Sequence, residues 1–199
     1  MNDEFELPFP QYRCAQDGTD LPLGEARIAV VGPSVTPRDD VTYTVRKATQ
    51  SDEGQIELLC ERALGETDVD VFGKSFDVLA GVNLIAVGSE GLAGLLSVAI
   101  ENGEATIVLL SVYPDFQNKG VGGALLEAAD ELAARRGLGF LRAAVTNDDI
   151  PQIYFYQRHG FAFYEVGIGE AADRFGSASP GFSGIPVRDE IRLRRAVRA

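Results

Sequence analysis

The chain has 199 residues, of which 45% are hydrophobic, which fits one globular domain with a core and argues against a chain disordered throughout. Its net charge of −12 at pH 7 argues against nucleic-acid binding, since a phosphate backbone is bound by clustered Lys and Arg side chains. With two cysteines and one histidine, we expect neither a disulfide framework nor a metal site.

Nothing in the sequence indicates export or a membrane span. Residues 1–6 are acidic and lack the basic and apolar regions of a secretory signal. The longest apolar runs are interrupted by Ser89-Glu90 and Glu101-Asn102, so they are too short to cross a bilayer. We therefore expect a cytoplasmic protein without a membrane partner. Its acidic surface is compatible with a cationic acceptor, although solubility is the more common reason for such a charge.

Residues 1–40 differ from the rest of the chain, and we interpret them as an N-terminal arm attached to one domain over residues 41–199. Prolines punctuate this segment, and only residues 26–31 have the pattern of a strand. Four apolar side chains near its start are able to dock: Phe5, Leu7, Phe9 and Tyr12. The docking surface is either the chain's own domain or a second subunit, which leaves a homodimer open.

Regular patterns begin after Val41. Residues 42–46 alternate as a strand, and Thr49 with Asp52 resembles a capping box. The helix that follows has apolar residues at helical spacing: Ile56, Leu59, Cys60 and Ala63. Cys60 is interpreted as a buried small hydrophobe rather than a nucleophile. Residues 65–80 are ambiguous, with a short helix around 75–79 as one interpretation.

Three apolar runs then predict an antiparallel meander. They cover residues 82–87, 92–100 and 105–112, and turn sequences separate them. The second turn contains Asn102-Gly103, a pair that favours a tight hairpin.

The second half of the domain alternates helices and strands. A helix after Pro114 has one apolar stripe, formed by Val121, Leu125, Ala129 and Leu132. Further elements are predicted in this order: a strand over 140–145, a helix over 150–159, a strand over 161–166, a loop over 167–184 and a strand over 187–193. The meander together with helical crossovers predicts an α+β fold.

The most informative segment joins a strand end to a glycine-rich helix start. The first turn of a helix has backbone N–H groups without internal partners and a positive dipole end, and glycines let a ligand approach closely. Such a start is a cradle for phosphate. It is not a dinucleotide fingerprint, because Leu125 stands where the third glycine is needed, and no P-loop sequence occurs. A purely structural glycine-rich turn is the alternative.

The spacing of Gln117, Gly120 and Gly122 resembles the pyrophosphate loop of the GNAT acetyltransferases. Two more features support the resemblance: Pro114 follows the strand end, and Asn147 precedes a helix that ends in the Phe155–Phe161 sequence Phe-Tyr-Gln-Arg-His-Gly-Phe. The resemblance covers about residues 41–194. The closing segment, residues 184–191, is similar to a bacterial subgroup of this family without an assigned substrate.

The resemblance implies a GNAT fold, with a mixed central sheet, helices on both faces and a split between strands 104–112 and 140–145. Acetyl-CoA, or another acyl-CoA, would bind in this split as co-substrate, without a metal. The residues implied to bind it are Leu110, Ser111, Val112, Gln117, Asn118, Lys119, Gly120, Val121, Gly122, Gly123, Asn147 and Tyr156.

The implied activity is N-acetyl transfer to a primary amine of a small molecule or peptide by direct attack in a ternary complex. A backbone amide near Leu110 would stabilise the oxyanion. Tyr156 matches the family's general acid, although a core role is its alternative. The family's usual base position maps near Thr106, which cannot serve, so Glu104 on the same strand face is the candidate, with a purely structural place at the hairpin end as its alternative. His159 is interpreted as structural.

The acceptor is not specified by these motifs. Glu66, Asp68 and Asp70 lie where the family often builds its acceptor site, and they either attract an amine or form a solvated loop. The alternative function is a GNAT-fold module that binds acyl-CoA as a sensor or scaffold and performs no chemistry.

Overall fold

The computed structural model describes residues 42–89, 91–176 and 181–198, so the predictions for the N-terminal arm lie outside the described residues. The strands are β1 Tyr43–Lys47, β2 Asp68–Val71, β3 Lys74–Asp77, β4 Val82–Gly88, β5 Gly91–Glu101, β6 Glu104–Val112, β7 Phe140–Thr146, β8 Ala162–Gly167 and β9 Glu190–Ala196. The α-helices are α1 Glu53–Leu64, α2 Val121–Arg135, α3 Ile150–Arg158 and α4 Glu170–Phe175.

The central sheet has seven strands in the order β1-β4-β5-β6-β7-β9-β8. Its neighbours are antiparallel except for β6 and β7, which run parallel. The predicted meander is formed by β4, β5 and β6, and Asn102 and Gly103 both adopt positive φ at its second turn, 51° and 80°. The expected α+β class with a mixed sheet is confirmed, and the parallel pair consists of the two strands between which the split is expected.

Helices cover both faces of this sheet. On one face, α2 and α3 bury Leu125, Ala129 and Tyr156 against sheet residues such as Ile107 and Leu193. The opposite face is covered by α1 and by the separate β2–β3 hairpin, whose buried residues include Ile56, Leu59, Cys60 and Phe76. The predicted stripe of α2 and the buried state of Cys60 are therefore confirmed, and burial raises the pKa of the Cys60 thiol.

Two local predictions are wrong. Residues 75–79 are not a helix, because Lys74–Asp77 form β3 and pair with β2 around a turn in which Phe72 and Gly73 have φ of 55° and 68°. Such turns usually contain Asn-Gly or Asp-Gly, so Phe72 conceals the hairpin in the sequence. The predicted loop over 167–184 contains α4, which is too short to show helical periodicity.

Within the described ranges, no helix is long and apolar enough to cross a membrane.

Candidate active site

The sheet opens between β6 and β7. These strands pair at only three positions, Ala105↔Leu141, Thr106↔Arg142 and Ile107↔Ala143. Beyond Ile107 the pairing of β6 with β5 skips Val108, so the strand has a bulge at the point where it leaves β7. The rest of β6, to Val112, has no strand partner on the β7 side among the described residues. This split is an open backbone edge inside the sheet.

The loop after β6 presents free amides at one end of the split. Asn118 and Gly120 adopt left-handed conformations, with φ of 60° and 85°, and Gly120 precedes the first residue of α2. In the described part of the chain, the backbone N–H groups of residues 118–123 have no hydrogen-bond acceptor. The first turn of α2 contains no acidic residue. Free amides at a helix start, without a nearby carboxylate in that turn, form a cradle for an anion.

Two of the residues predicted to bind the co-substrate, Gln117 and Lys119, lie in this loop. The side-chain amide of Gln117 turns back toward β6, where its Nε2 donates to the Val112 carbonyl, 3.0 Å away. The Gln117 side chain therefore fixes the loop on the end of β6. The side chain of Lys119 is exposed.

Two glycines in the first turn of α2 also allow another helix to pack closely, which the sequence did not reveal. A Cβ atom added at Gly122 would lie 3.1 Å from Cζ of Phe155, and one added at Gly123 would lie 3.2 Å from Nε2 of His159. Both partners belong to α3 or its C-terminal end. The glycines thus allow α3 to pack against the first turn of α2.

Tyr156 lies on α3 and is 2% exposed. Its ring packs edge-on against Phe161, with centroids 5.1 Å apart. Its hydroxyl makes no hydrogen bond within the described part of the chain. Burial, with a smaller contribution from Asp149, raises the pKa of the Tyr156 phenol above its usual range, so the phenol keeps its proton near neutral pH.

His159 ends α3. Its Nδ1 lies 2.8 Å from the Phe155 carbonyl, and because a carbonyl only accepts, Nδ1 donates. The His159 ring also packs on Phe155, with centroids 4.3 Å apart. These contacts support the structural interpretation of His159.

Glu104 begins β6 and is paired with Arg142 at 2.8 Å. Arg142 also donates through Nε to Thr106 Oγ1, 2.7 Å away. Leu110 lies six residues farther along the strand, about 20 Å at the rise of an extended chain. The ion pair and this separation favour the structural alternative for Glu104 over direct contact with an acceptor near Leu110.

Asn147 follows β7, and its side-chain amide is largely used within the protein. Its Nδ2 donates to the Pro186 carbonyl at 3.0 Å, and its Oδ1 accepts from the N–H groups of Arg188 and Asp189 at 2.7 and 2.9 Å. One Nδ2 proton is left for another acceptor. Asn147 therefore holds the connection between β8 and β9 against the open end of β7.

The acidic residues Asp68 and Asp70 lie on β2 and are exposed, while Val71 of the same strand is buried beneath them. Alternation along the strand turns the carboxylates away from the sheet. Glu66 is exposed as well. This arrangement supports the solvated interpretation of the three residues.

A buried charge cluster under the hairpin tip was missed by the sequence analysis. Glu190 is 1% exposed and pairs with Arg174 at 2.5 Å and Arg192 at 2.8 Å. The Phe72 N–H donates to Glu190 at 3.1 Å, and the Arg142 guanidinium lies 4.6 Å from the Phe72 ring centroid. These contacts fasten the β2–β3 hairpin over β7 and β9. The partners are far apart in sequence, so no local pattern indicates them.

No group of three or more potential metal ligands occurs among the described residues.

Comparisons with known proteins identify a family to which the chain is similar. The model of the Acetyltransferase (GNAT) family matches residues 56–161, just over half of the chain. Streptothricin acetyltransferase from Streptomyces lavendulae is 40% identical over 100 residues, which cover 49% of this chain and 51% of that protein. The chain thus matches about half the length of this relative.

Solved structures of similar fold include the IAA acetyltransferase from Bacillus cereus ATCC 14579, with a TM-score of 0.62 at 20% identity, covering 78% of this chain and 99% of that one. An acetyltransferase from Bacillus subtilis in complex with CoA has a TM-score of 0.59 at 21% identity, with coverage of 79% and 99%. At these identities the similarity concerns the fold.

Proposed function

The chain belongs to the GNAT family of acetyltransferases, and on this premise we propose that it transfers an acetyl group from acetyl-CoA to a primary amine of a small molecule or peptide. The observation that carries the proposal is the row of free N–H groups at residues 118–123, placed where the open edge of β6 ends. A pyrophosphate at these amides would direct the acyl arm along the split.

The residues present fit acetyl-CoA as co-substrate. The N–H groups of residues 118–123 would hold its pyrophosphate, with Lys119 as a nearby cation. The segment from Leu110 to Val112 pairs with β5 on one side only, and its edge toward the split would pair with the amide groups of the acyl arm. Asn147 has one side-chain proton left for the same arm, beyond its role in holding the β8–β9 connection.

Acetyl-CoA supplies an activated thioester, in which the C–S bond breaks as the amine nitrogen bonds to the carbonyl carbon. A backbone N–H near Leu110 would donate to the developing oxyanion, beside the bulge at Val108. Tyr156 would give its phenolic proton to the leaving sulfur, because its hydroxyl is protonated and has no partner among the described residues. The amine nitrogen would lose its proton to water as the amide forms, and water would return a proton to the phenol.

A role of Glu104 as base would have to pass through water molecules, because its carboxylate is held by Arg142. We expect Glu104→Gln to keep most of the turnover. The same ion pair is the observation that favours the alternative function, a module that binds acyl-CoA and performs no chemistry.

The proposal is tested by thiol release from acetyl-CoA with a panel of small amines, amino acids and peptides. We expect release to require an amine and to fall about 100-fold in Tyr156→Phe, the usual size of a general-acid effect. Tyr154→Phe is the matched control: Tyr154 lies on the same helix, is 42% exposed and, among the described residues, accepts a hydrogen bond only from Arg158.

Binding of acetyl-CoA is measured separately by calorimetry. Binding without thiol release from any amine would favour the sensor or scaffold. Equal turnover of Tyr156→Phe and the unchanged protein would remove the proton-donor role from Tyr156.

A further inference from the structure

One arginine joins the two helices on which the proposed site depends. Arg195 of β9 is 7% exposed and contacts α2, the end of α3 and Phe161. We propose that Arg195 is a positioning residue that fixes α3, and with it Tyr156, relative to the phosphate cradle at the start of α2. This inference rests on the proposed function and deepens it.

The contact with α2 is a buried ion pair. Arg195 Nη2 donates to a carboxylate oxygen of Asp130, which is 5% exposed and lies in the middle of α2. Burial lowers the pKa of Arg195, and the negative charge of Asp130 acts against this shift. The pair therefore places one fixed charge contact between β9 and the helix whose first turn forms the cradle.

The contacts with α3 are at its C-terminal end. Arg195 Nη1 donates to the His159 carbonyl at 2.5 Å, where a helix end leaves carbonyl groups free for a cation. Its guanidinium lies 4.8 Å from the Phe161 ring centroid. The Phe161 ring in turn packs on Tyr156, and the Phe161 N–H donates to the Tyr156 carbonyl at 3.0 Å. Arg195 thus supports Tyr156 through two routes.

The energetics of the pair indicate a role in geometry more than in stability. Within the described residues, Asp130 Oδ1 and Arg195 Nε are buried without a hydrogen-bond partner. A buried pair with unmade hydrogen bonds is weak evidence for stability, because apolar residues of similar volume usually serve a core as well. A planar guanidinium, however, can bond a carboxylate and a helix carbonyl while it stacks on a ring, which an ammonium cannot do.

The consequence concerns the two ends of the acyl-CoA. Its pyrophosphate would lie at α2 and its sulfur at Tyr156 of α3, so the spacing of these helices decides how near the phenol comes to the sulfur. Gly122 and Gly123 let α3 touch the first turn of α2, and Arg195 ties the C-terminal end of α3 to Asp130, farther along α2.

The test is a double-mutant cycle between Arg195→Lys and Tyr156→Phe, measured as kcat and as KM for acetyl-CoA well below the melting temperature. Arg195→Lys keeps a positive charge beside Asp130. It loses the planar guanidinium that bonds both Asp130 and His159 and stacks on Phe161. We expect kcat to fall about tenfold with little change in KM, since small misplacements of a reacting group are costly. Arg198→Lys is the control, because Arg198 is exposed and donates to the same His159 carbonyl at 3.2 Å.

If Arg195 acts through Tyr156, the double variant turns over at the rate of Tyr156→Phe alone, a result that a general loss of stability does not produce. If the fold-loss of kcat in the double variant equals the product of the two single losses, the inference is overturned and the proposed function stands. Unchanged kcat in Tyr156→Phe would overturn both the role of Tyr156 and that of Arg195. Absence of amine-dependent thiol release from the unmodified protein would overturn the proposed function and this inference with it.

Discussion

At the scale of single residues, glycine conformation decides the shape of the phosphate cradle. Gly120 has φ of 85° immediately before α2, and a side chain there would be strained even though the surrounding space is fairly open. Gly65 has nearly the same φ, 86°, at the end of α1, and a Cβ there would meet nothing within 4 Å. Both glycines therefore adopt a backbone conformation that disfavours a side chain, but only Gly120 lies at the phosphate cradle.

Gly120→Ala is expected to weaken acetyl-CoA binding about tenfold, because relaxing its φ moves the N–H groups that would hold the pyrophosphate. Gly65→Ala carries the same backbone strain and should lower the free energy of unfolding by a similar amount, about 1 kcal/mol, without affecting binding. Calorimetry with acetyl-CoA and with S-acetylpantetheine, which lacks the pyrophosphate, measures the difference. Equal weakening of both ligands would contradict the assignment of the cradle.

At the scale of elements, the start of α1 shows how a short segment is stabilised locally. The Asp52 carboxylate accepts from Arg46 at 2.7 Å and from the Thr49 N–H at 2.8 Å. The hydrogen bond from Arg46, followed by that from Thr49, holds the pKa of the Asp52 carboxyl well below its usual range. The turn before α1 thus depends on an ionised Asp52.

The direction of this shift predicts a pH dependence. A carboxyl whose pKa is lowered by folding stabilises the protein above its unfolded pKa, about 3.9, and the stabilisation is lost as the pH falls through the folded value. We expect the unmodified protein to lose more stability than Asp52→Asn between pH 5 and pH 3. Urea unfolding at several pH values measures this, and parallel losses in both proteins would contradict it.

Elements were predictable where one periodicity extends over several turns or strands. The stripe from Val121 to Leu132 specifies α2, and Asn102-Gly103 specifies the turn between β5 and β6. The β2–β3 hairpin was not predictable, because Phe72 occupies a turn position that usually takes Asn or Asp and is held there by distant partners such as Glu190. The glycine motif indicated the cradle, whereas the contact of Gly122 with Phe155 depends on tertiary packing.

At the scale of the whole molecule, the net charge of −12 raises the question of whether the acidic surface has a role in recognition. The exposed carboxylates of Asp68 and Asp70 point away from the sheet, so a direct contact with an acceptor in the split is not favoured. A long-range field is a different effect, because summed surface charge raises the local concentration of oppositely charged substrates.

Salt dependence distinguishes recognition from solubility. If the field attracts the acceptor, raising the salt concentration from about 0.05 to 0.5 M should lower kcat/KM for cadaverine, a dication, several-fold more than for 5-aminopentanoate, a zwitterion of similar length. The initial rate of thiol release measures both. Equal salt effects on the two amines would assign the acidic surface to solubility.

The three-position contact between β6 and β7 divides the sheet into two halves, β1-β4-β5-β6 and β7-β9-β8. Within each half, long antiparallel pairings hold neighbouring strands together. The short β6–β7 contact, the seam between the halves, is therefore the least hydrogen-bonded junction in the sheet. An extended acyl arm lying in the split would act as a missing strand that bridges the halves. The co-substrate would then be a part of the architecture, and its arrival would slow hydrogen exchange on both sides of the seam, far beyond the atoms that it touches.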